Sequence, residues 1–257
     1  MRINFLTIFP NIFDSYLNES ILKRAQKKKL VNFKIVNIRD FTSDKHHKVD
    51  DIPYGGGAGM VLKIEPIYRC LQSLKLKIKN KKLKIRSRSA TILLSAKGKS
   101  FTQNDAKRLS KYDELTFVCG RYEGVDERVK KFADEEISIG EYVLTGGELP
   151  AMVIADAVTR LIPGVIAKES LEEESFSVIP THYSLPTTRF LEYPQYTRPE
   201  IFEYKEKGKI KKLKVPKVLL SGDHKKIKEW REGESRKQAS GPGAPARREN
   251  KKIKKQY

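Results

Sequence analysis

Two glycine-bearing turns carry the residues best equipped for chemistry. Gly120-Arg121-Tyr122-Glu123-Gly124 sets a cation, a phenol and a carboxylate between two glycines. Thr145-Gly146-Gly147-Glu148-Leu149-Pro150 joins adjacent glycines to a second carboxylate. Each turn follows an apolar run that predicts a strand, Glu114–Cys119 before the first and Ile137 to Leu144 before the second. Glycine lets a backbone approach a ligand closely. In open α/β sheets ligands bind outside the carboxyl ends of the strands. One such turn is explained by backbone geometry alone; two on consecutive strands predict a site.

Other candidate motifs fail on spacing. His46 and His47 lie near Asp50 and Asp51, but no HExxH or comparable ligand spacing accompanies them, so no metal site is expected. In Tyr54-Gly55-Gly56-Gly57-Ala58-Gly59-Met60, the dinucleotide pattern GxGxxG from Gly55 needs glycine where Met60 stands. Lys97-Gly98-Lys99-Ser100 imitates the end of a P-loop, yet that pattern needs glycine where Leu93 stands.

The elements that would position the two turns alternate. Arg2 to Phe9 predicts a strand, and residues from Ile12 to Ala25 fall at helical spacing after Pro10. Phe33 to Ile38 predicts a second strand, Ile64 to Leu74 a helix, and Thr91 to Ser95 a buried strand. Asn104 to Tyr112 and Ala151 to Leu161 predict helices, the latter ended by Pro163-Gly164. This order predicts an α/β fold with a parallel sheet. Lys75 to Arg88 reads as an exposed loop, Ala167 to Ser177 as a linker, and Val215 to Gly222 as extended chain. Asp223 is placed to cap a helix to about Arg231, and the chain from about Ser235 reads as disordered.

The 257 residues carry a formal net charge of +20, from 52 Lys/Arg and 32 Asp/Glu. Leu71 to Ala90 contributes +8 and Lys205 to Tyr257 contributes +13, which leaves the remainder at −1. A neutral body with two basic segments fits a polyanionic partner such as nucleic acid. Two cysteines, Cys70 and Cys119, cannot form a disulfide framework, so a reducing, cytoplasmic setting is expected. No stretch has the length of a membrane span.

Six ordered blocks carry a family resemblance: PYGGGAGM from Pro53, CGRYEGVDERV from Cys119, SIGEYVLTGGELP from Ser138, RLIPGV from Arg160, YPQYTRP from Tyr193 and VLLSG from Val218. Together they resemble the bacterial tRNA (guanine-N1)-methyltransferases, the TrmD family of the SPOUT superfamily, from Met1 to about Arg231. The resemblance implies a parallel α/β sheet whose C-terminal part forms a deep trefoil knot, followed by a small, mostly helical C-terminal domain. It implies S-adenosylmethionine as cofactor, a homodimer with sites at its interface, and tRNA with a guanosine immediately 3′ of the anticodon (position 37) as substrate. It leaves open whether a magnesium ion takes part. The implied division is 1–166 for the knotted domain, 167–178 for a linker, 179–234 for the tRNA-binding domain and 235–257 for a basic tail.

Residue by residue, the resemblance assigns cofactor contacts to Leu93, Leu94 and Ser95; to Gly120, Arg121, Tyr122, Glu123 and Gly124; to Ile139, Gly140, Glu141, Tyr142, Val143 and Leu144; and to Gly146, Gly147 and Pro150. Tyr142 and Leu144 would supply apolar walls, and Glu123 would lie near the methionine part. Arg160 matches the arginine that steadies charge on the guanine carbonyl oxygen. The family's general base is an aspartate just before a Ser-Phe pair; here Ser175-Phe176 follows Glu174. Residues 177–190 exceed the family norm in length. A non-catalytic RNA-binding protein of the same fold is the alternative, separated from the enzyme by an assay of methyl transfer.

Overall fold

The computed structural model describes residues 1–80, 88–172, 174–176 and 191–240. The chain divides into two compact units, Met1–Lys168 and Glu169–Tyr257. In the first unit the elements run β1 (Arg2–Thr7), α1 (Asp14–Leu17), α2 (Ser20–Lys27), β2 (Asn32–Asn37), β3 (Asp50–Asp51), β4 (Val61–Leu62) and α3 (Ile64–Asn80). They continue with β5 (Ser89–Ser100), α4 (Gln103–Leu109), β6 (Glu114–Cys119), β7 (Glu135–Ser138) and α5 (Glu148–Thr159). Five strands form one sheet in the order β2-β1-β6-β5-β7, every neighbouring pair parallel.

The sheet is buried on both faces, as a parallel sheet with crossover helices must be. Alternate residues feed two separate cores. Ile3, Phe5, Ile92, Leu94, Phe117 and Cys119 join α2, α4 and α5 on one face. Leu6, Leu93 and Val118 join Ile67, Cys70 and Leu71 of α3 on the other. Among the described residues no helix is long and apolar enough to cross a membrane.

Several boundaries differ from those the sequence predicts. The expected helix after Pro10 is interrupted: a 3₁₀ turn (Pro10–Phe13) and α1 precede α2, and Ser20, where α2 begins, has φ +47°, outside helical geometry. α3 runs on to Asn80 through residues expected to be a loop, while 81–87 lie outside the described residues. β7 stops at Ser138 instead of running on to Leu144. There the Ser138 hydroxyl donates to the Gly140 carbonyl (2.9 Å) and accepts from the Gly140 N–H (3.2 Å), folding the chain into a turn.

β5 is longer than predicted because its far half pairs with β7. The register shifts between Leu94 and Lys99, both of which partner Ile137. The P-loop imitation Lys97-Gly98-Lys99-Ser100 is therefore strand, and Gly98 has a packing reason to be glycine. A Cβ there would sit 2.6 Å from the backbone N and C of Ile137. No side-chain rearrangement relieves a clash with backbone. Gly98→Val is expected to cost about 1–3 kcal/mol, the range for an overpacked interior. Urea denaturation of variant and wild type checks this, and an unchanged midpoint would refute the close crossing.

The second unit contains most of α6 (Lys168–Glu172), then β8 (Ile201–Glu206), β9 (Lys209–Lys214), α7 (Lys217–Leu220) and α8 (His224–Ser240). β8 and β9 form an antiparallel hairpin that the sequence reading of a mostly helical domain did not include. Lys207 (φ +50°) and Gly208 (φ +77°) make its two-residue turn, with both central residues left-handed as such hairpins favour. α7 replaces extended chain predicted within Val215 to Gly222. Asp223 caps α8, its carboxylate accepting from the N–H groups of Lys225 and Lys226 at 3.1 Å. α8 continues past Arg231 to Ser240, with a Glu234–Lys237 pair at 2.6 Å along its surface. Residues 241–257, the rest of the expected tail, lie outside the described residues, as do 177–190.

Candidate functional site

The carboxyl ends of β5, β6 and β7 stand side by side, and a cavity of about 250 Å³ opens there. Leu93, Leu94 and Ser95 come from β5, Gly120 to Gly124 from the turn after β6, Ile139, Gly140, Tyr142, Val143, Leu144, Gly146 and Gly147 from the chain between β7 and α5, and Pro150 from the first turn of α5. Every residue assigned to the cofactor lines this cavity except Glu141. The sequence reading missed a second set of lining residues. Lys130 lines it while bridging Glu127 (2.7 Å) and Glu136 (3.1 Å), both of which also line it. Such charges carry no glycine or motif signal, and in sequence they look like solvated surface.

The two glycine turns are fastened to each other. The Gly147 N–H donates to the Gly120 carbonyl at 2.8 Å, and Arg121 forms an antiparallel bridge with Gly146. The Arg121 guanidinium donates to the Glu148 carboxylate at 2.9 Å and lies over the Phe9 ring, 4.8 Å from its centroid. Glu148 is 1% exposed. Its other oxygen accepts from the Thr7 hydroxyl at 2.7 Å, so the buried carboxylate is paired on both sides. Arg121 thus lines the cavity while it pairs with the buried Glu148 behind it. Burial first, and the Glu148 carboxylate second, push the adjacent Cys119 thiol well above its ordinary pKa.

The contacts of the glycines differ. At Gly147 a Cβ would lie 2.8 Å from the Cys119 Cα and 2.9 Å from the Gly120 N. At Gly120 it would meet only the Val125 side chain at 3.4 Å and the Leu94 carbonyl at 3.9 Å. Protein therefore leaves room for a side chain at Gly120 and not at Gly147.

The glycine-rich stretch from Pro53 to Met60 reaches the same turn. Gly55, Gly56, Gly57 and Gly59 all have positive φ, a run that only glycine adopts without strain. The Glu123 N–H donates to the Met60 carbonyl at 3.1 Å, and a Cβ on Gly59 would lie 2.6 Å from the Glu123 side chain. His47 hydrogen-bonds within its own loop, to Thr42 and to the Arg39 carbonyl. Among the described residues no group of three or more His, Cys, Asp or Glu could hold a metal ion.

A second cavity, of about 740 Å³, runs along α5 from Thr145 and Gly146 to Asp156 and Arg160. Arg160 lies there and not in the first cavity, with α5, about 18 Å long, between it and Gly147. Tyr16 closes one side by donating to Asp156 at 2.5 Å, a bond that raises the phenol pKa to about 12. Glu174 belongs to the second unit and is buried, 7% exposed. The Ser175 hydroxyl next to it accepts from the Glu192 N–H at 3.1 Å.

An open parallel sheet with a glycine-walled cavity at its strand ends defines an α/β protein with a ligand-sized site at the carboxyl edge of its sheet. The family model described as tRNA (Guanine-1)-methyltransferase TrmD matches residues 1–242. The chain is 52% identical over 231 residues to the tRNA (guanine-N(1)-)-methyltransferase of Mycoplasmopsis synoviae (strain 53), covering 90% of each chain. It is 50% identical over 237 residues to that of Carboxydothermus hydrogenoformans, covering 91% of this chain and 83% of the relative. It is 48% identical to that of Bacillus subtilis (strain 168), covering 91% and 87%. The chain belongs to the TrmD family.

Proposed function

We propose that the chain transfers a methyl group from S-adenosylmethionine to guanine N1 of the guanosine immediately 3′ of the anticodon in tRNA. Membership of the family over nearly the whole chain carries this reading, and the cavity supports it. Glycines at 120, 140, 146 and 147 line the cavity, where backbone without side chains can come close to an adenine and a ribose. Leu94, Ile139 and Leu144 offer apolar surface, and Glu123 offers a carboxylate to a cationic amino acid part. The donor set fits the cofactor.

When bound, S-adenosylmethionine supplies a sulfonium methyl that a ring nitrogen can attack. The chain's own task is alignment and proton removal. In this reading the Glu174 carboxylate takes the N1 proton, and the Arg160 guanidinium stabilises the negative charge that develops on the guanine carbonyl oxygen. No described residue is assigned to magnesium. We infer a homodimer packed on the α5 groove, because Ile12, Tyr16, Leu149 and Val153 line it and are all exposed in the single chain. A second copy there would bring Arg160 into a shared interface with the first cavity's rim at Gly146. The fastening of Gly147 to Gly120 supports the knotted crossing expected of the family. We place the protein in the cytoplasm, in keeping with two buried free cysteines.

Mass-spectrometric mapping of tRNA incubated with protein and S-adenosylmethionine tests the function. One added methyl on guanine N1 next to the anticodon is the expected product. Unmodified tRNA, from protein that still binds the cofactor, would favour the non-catalytic alternative.

A further inference from the structure

The β8–β9 hairpin has features that the methyl-transfer site does not use. Its register pairs Phe202 with Leu213, Tyr204 with Lys211 and Glu206 with Lys209, so these six residues share one face. Phe202 and Leu213 on that face are 54% and 59% exposed. The Phe202 and Tyr204 rings lie 6.2 Å apart between centroids and within 13° of parallel. A two-stranded ribbon buries little of its own surface and is marginal alone. Exposed lysines on such a ribbon are explained by the need to keep its edges from pairing with other chains. A pair of parallel aromatic rings, Phe202 exposed and Tyr204 half-buried beside it, is not.

Charge indicates the partner. Residues 201–214 hold six lysines against two glutamates, a net +4. Glu203 pairs with Lys212 and Glu206 with Lys211 across the strands, which leaves the excess on Lys205, Lys207, Lys209 and Lys214. A polyanion with flat apolar faces satisfies rings and lysines together, and single-stranded nucleic acid is that chemistry. A duplex stem fits poorly, because the major groove of A-form RNA is too deep and narrow for side chains to read.

We propose that the β8–β9 hairpin is an RNA-docking arm. Phe202 and Tyr204 stack unpaired bases of the tRNA, and the four lysines (Lys209 on the ring face, Lys207 in the turn, Lys205 and Lys214 on the other face) hold phosphates of the strand as it passes round the ribbon. The proposal rests on the reading of tRNA as substrate.

The test uses the full chain, with tRNA affinity measured by filter binding over a salt series. Phe202→Leu with Tyr204→Leu keeps strand-compatible apolar residues but removes the π-faces. It should weaken tRNA binding roughly tenfold or more, since stacking on an aromatic side chain is worth about 5- to 150-fold per base. Phe202→Trp, which keeps a π-face, should bind as wild type does. Changing Lys205, Lys207, Lys209 and Lys214 together to Gln should flatten the slope of log affinity against log salt by up to about 3, roughly 0.7 for each single-strand phosphate contact. S-adenosylmethionine affinity, measured by calorimetry, reports that the first unit remains folded in each variant. Wild-type affinity and slope in both multiple variants would overturn the proposal. So would equal losses on anionic lipid vesicles, which would make the arm a membrane contact, or a changed sedimentation coefficient with unchanged RNA affinity, which would make it a protein interface. If wild type binds tRNA but transfers no methyl, the enzymatic reading fails, and the arm is still decided by binding alone.

Discussion

Glu174→Gln should slow single-turnover methyl transfer by on the order of a hundredfold or more, the usual range for losing a general base. Affinity for tRNA and S-adenosylmethionine should change little, because the group acts only as the proton leaves. Glutamine matches glutamate in volume, so a side chain that is buried loses its basicity and not its packing. Glu174→Asp should keep much of the activity, since it restores the family's residue one methylene shorter. Glu172→Gln and Glu173→Gln are the controls, and both should transfer methyl at the wild-type rate. A dead Glu173→Gln beside an active Glu174→Gln would move the base by one position. Three active variants would place it elsewhere, with Asp50 or Glu123 next in line.

Gly147→Val should abolish S-adenosylmethionine binding while leaving the protein folded. Gly147 has φ −81°, which any residue adopts, so its constraint is contact and not conformation. The contact is with the Cys119 Cα and the Gly120 N, backbone atoms that cannot swing aside. Overpacking costs about 1–3 kcal/mol, less than the stability of about 5–15 kcal/mol expected of a domain. The crossing therefore shifts instead of unfolding, and the shift falls on the cavity wall. A displacement near 1 Å in a positioning contact can cost on the order of a hundredfold. Calorimetry beside a thermal melt reads both effects. Gly120→Ala, which has room, separates ligand contact from protein crowding: it should melt like wild type and lose affinity only if the cofactor lies against it. Wild-type affinity in Gly147→Val would end the assignment of that wall to the cofactor.

What could be read in the sequence follows from what each residue answers to. β6 carries an apolar run from Phe117 to Cys119, and β1 sets Ile3, Phe5 and Leu6 among few polar residues; a strand buried on both faces needs little else to declare itself. The cavity walls were legible because glycines stand where backbones must come close. β7 read too long because one hydroxyl at Ser138 turns the chain, an event that hydrophobic patterning does not encode. The helix after Pro10 read as continuous because the apolar spacing persists across Ser20 while the backbone does not. The β8–β9 hairpin was missed because it has no buried side: its lysines hide the alternation that a half-buried strand would show. Arg160 was carried by resemblance alone, and its place on the α5 groove, away from the cofactor cavity, comes from helix length and not from any motif.

The two cysteines occupy different cores. Cys119 lies on the β6 face beneath α5, and Cys70 lies on α3 against the opposite face, each fully buried and without a disulfide. Cys119 reacts as thiolate only after its layer opens, because burial and Glu148 hold it protonated. The molecule thus carries a separate chemical clock on each side of its sheet. Alkylation of Cys70 times the opening of one layer, and alkylation of Cys119 times the wall that the cavity shares. A ligand seated in that cavity slows the second clock by mass action and slows the first only as far as the two layers open together. The ratio of the two rates measures how cooperatively the sheet joins its halves, without any label being engineered into the chain.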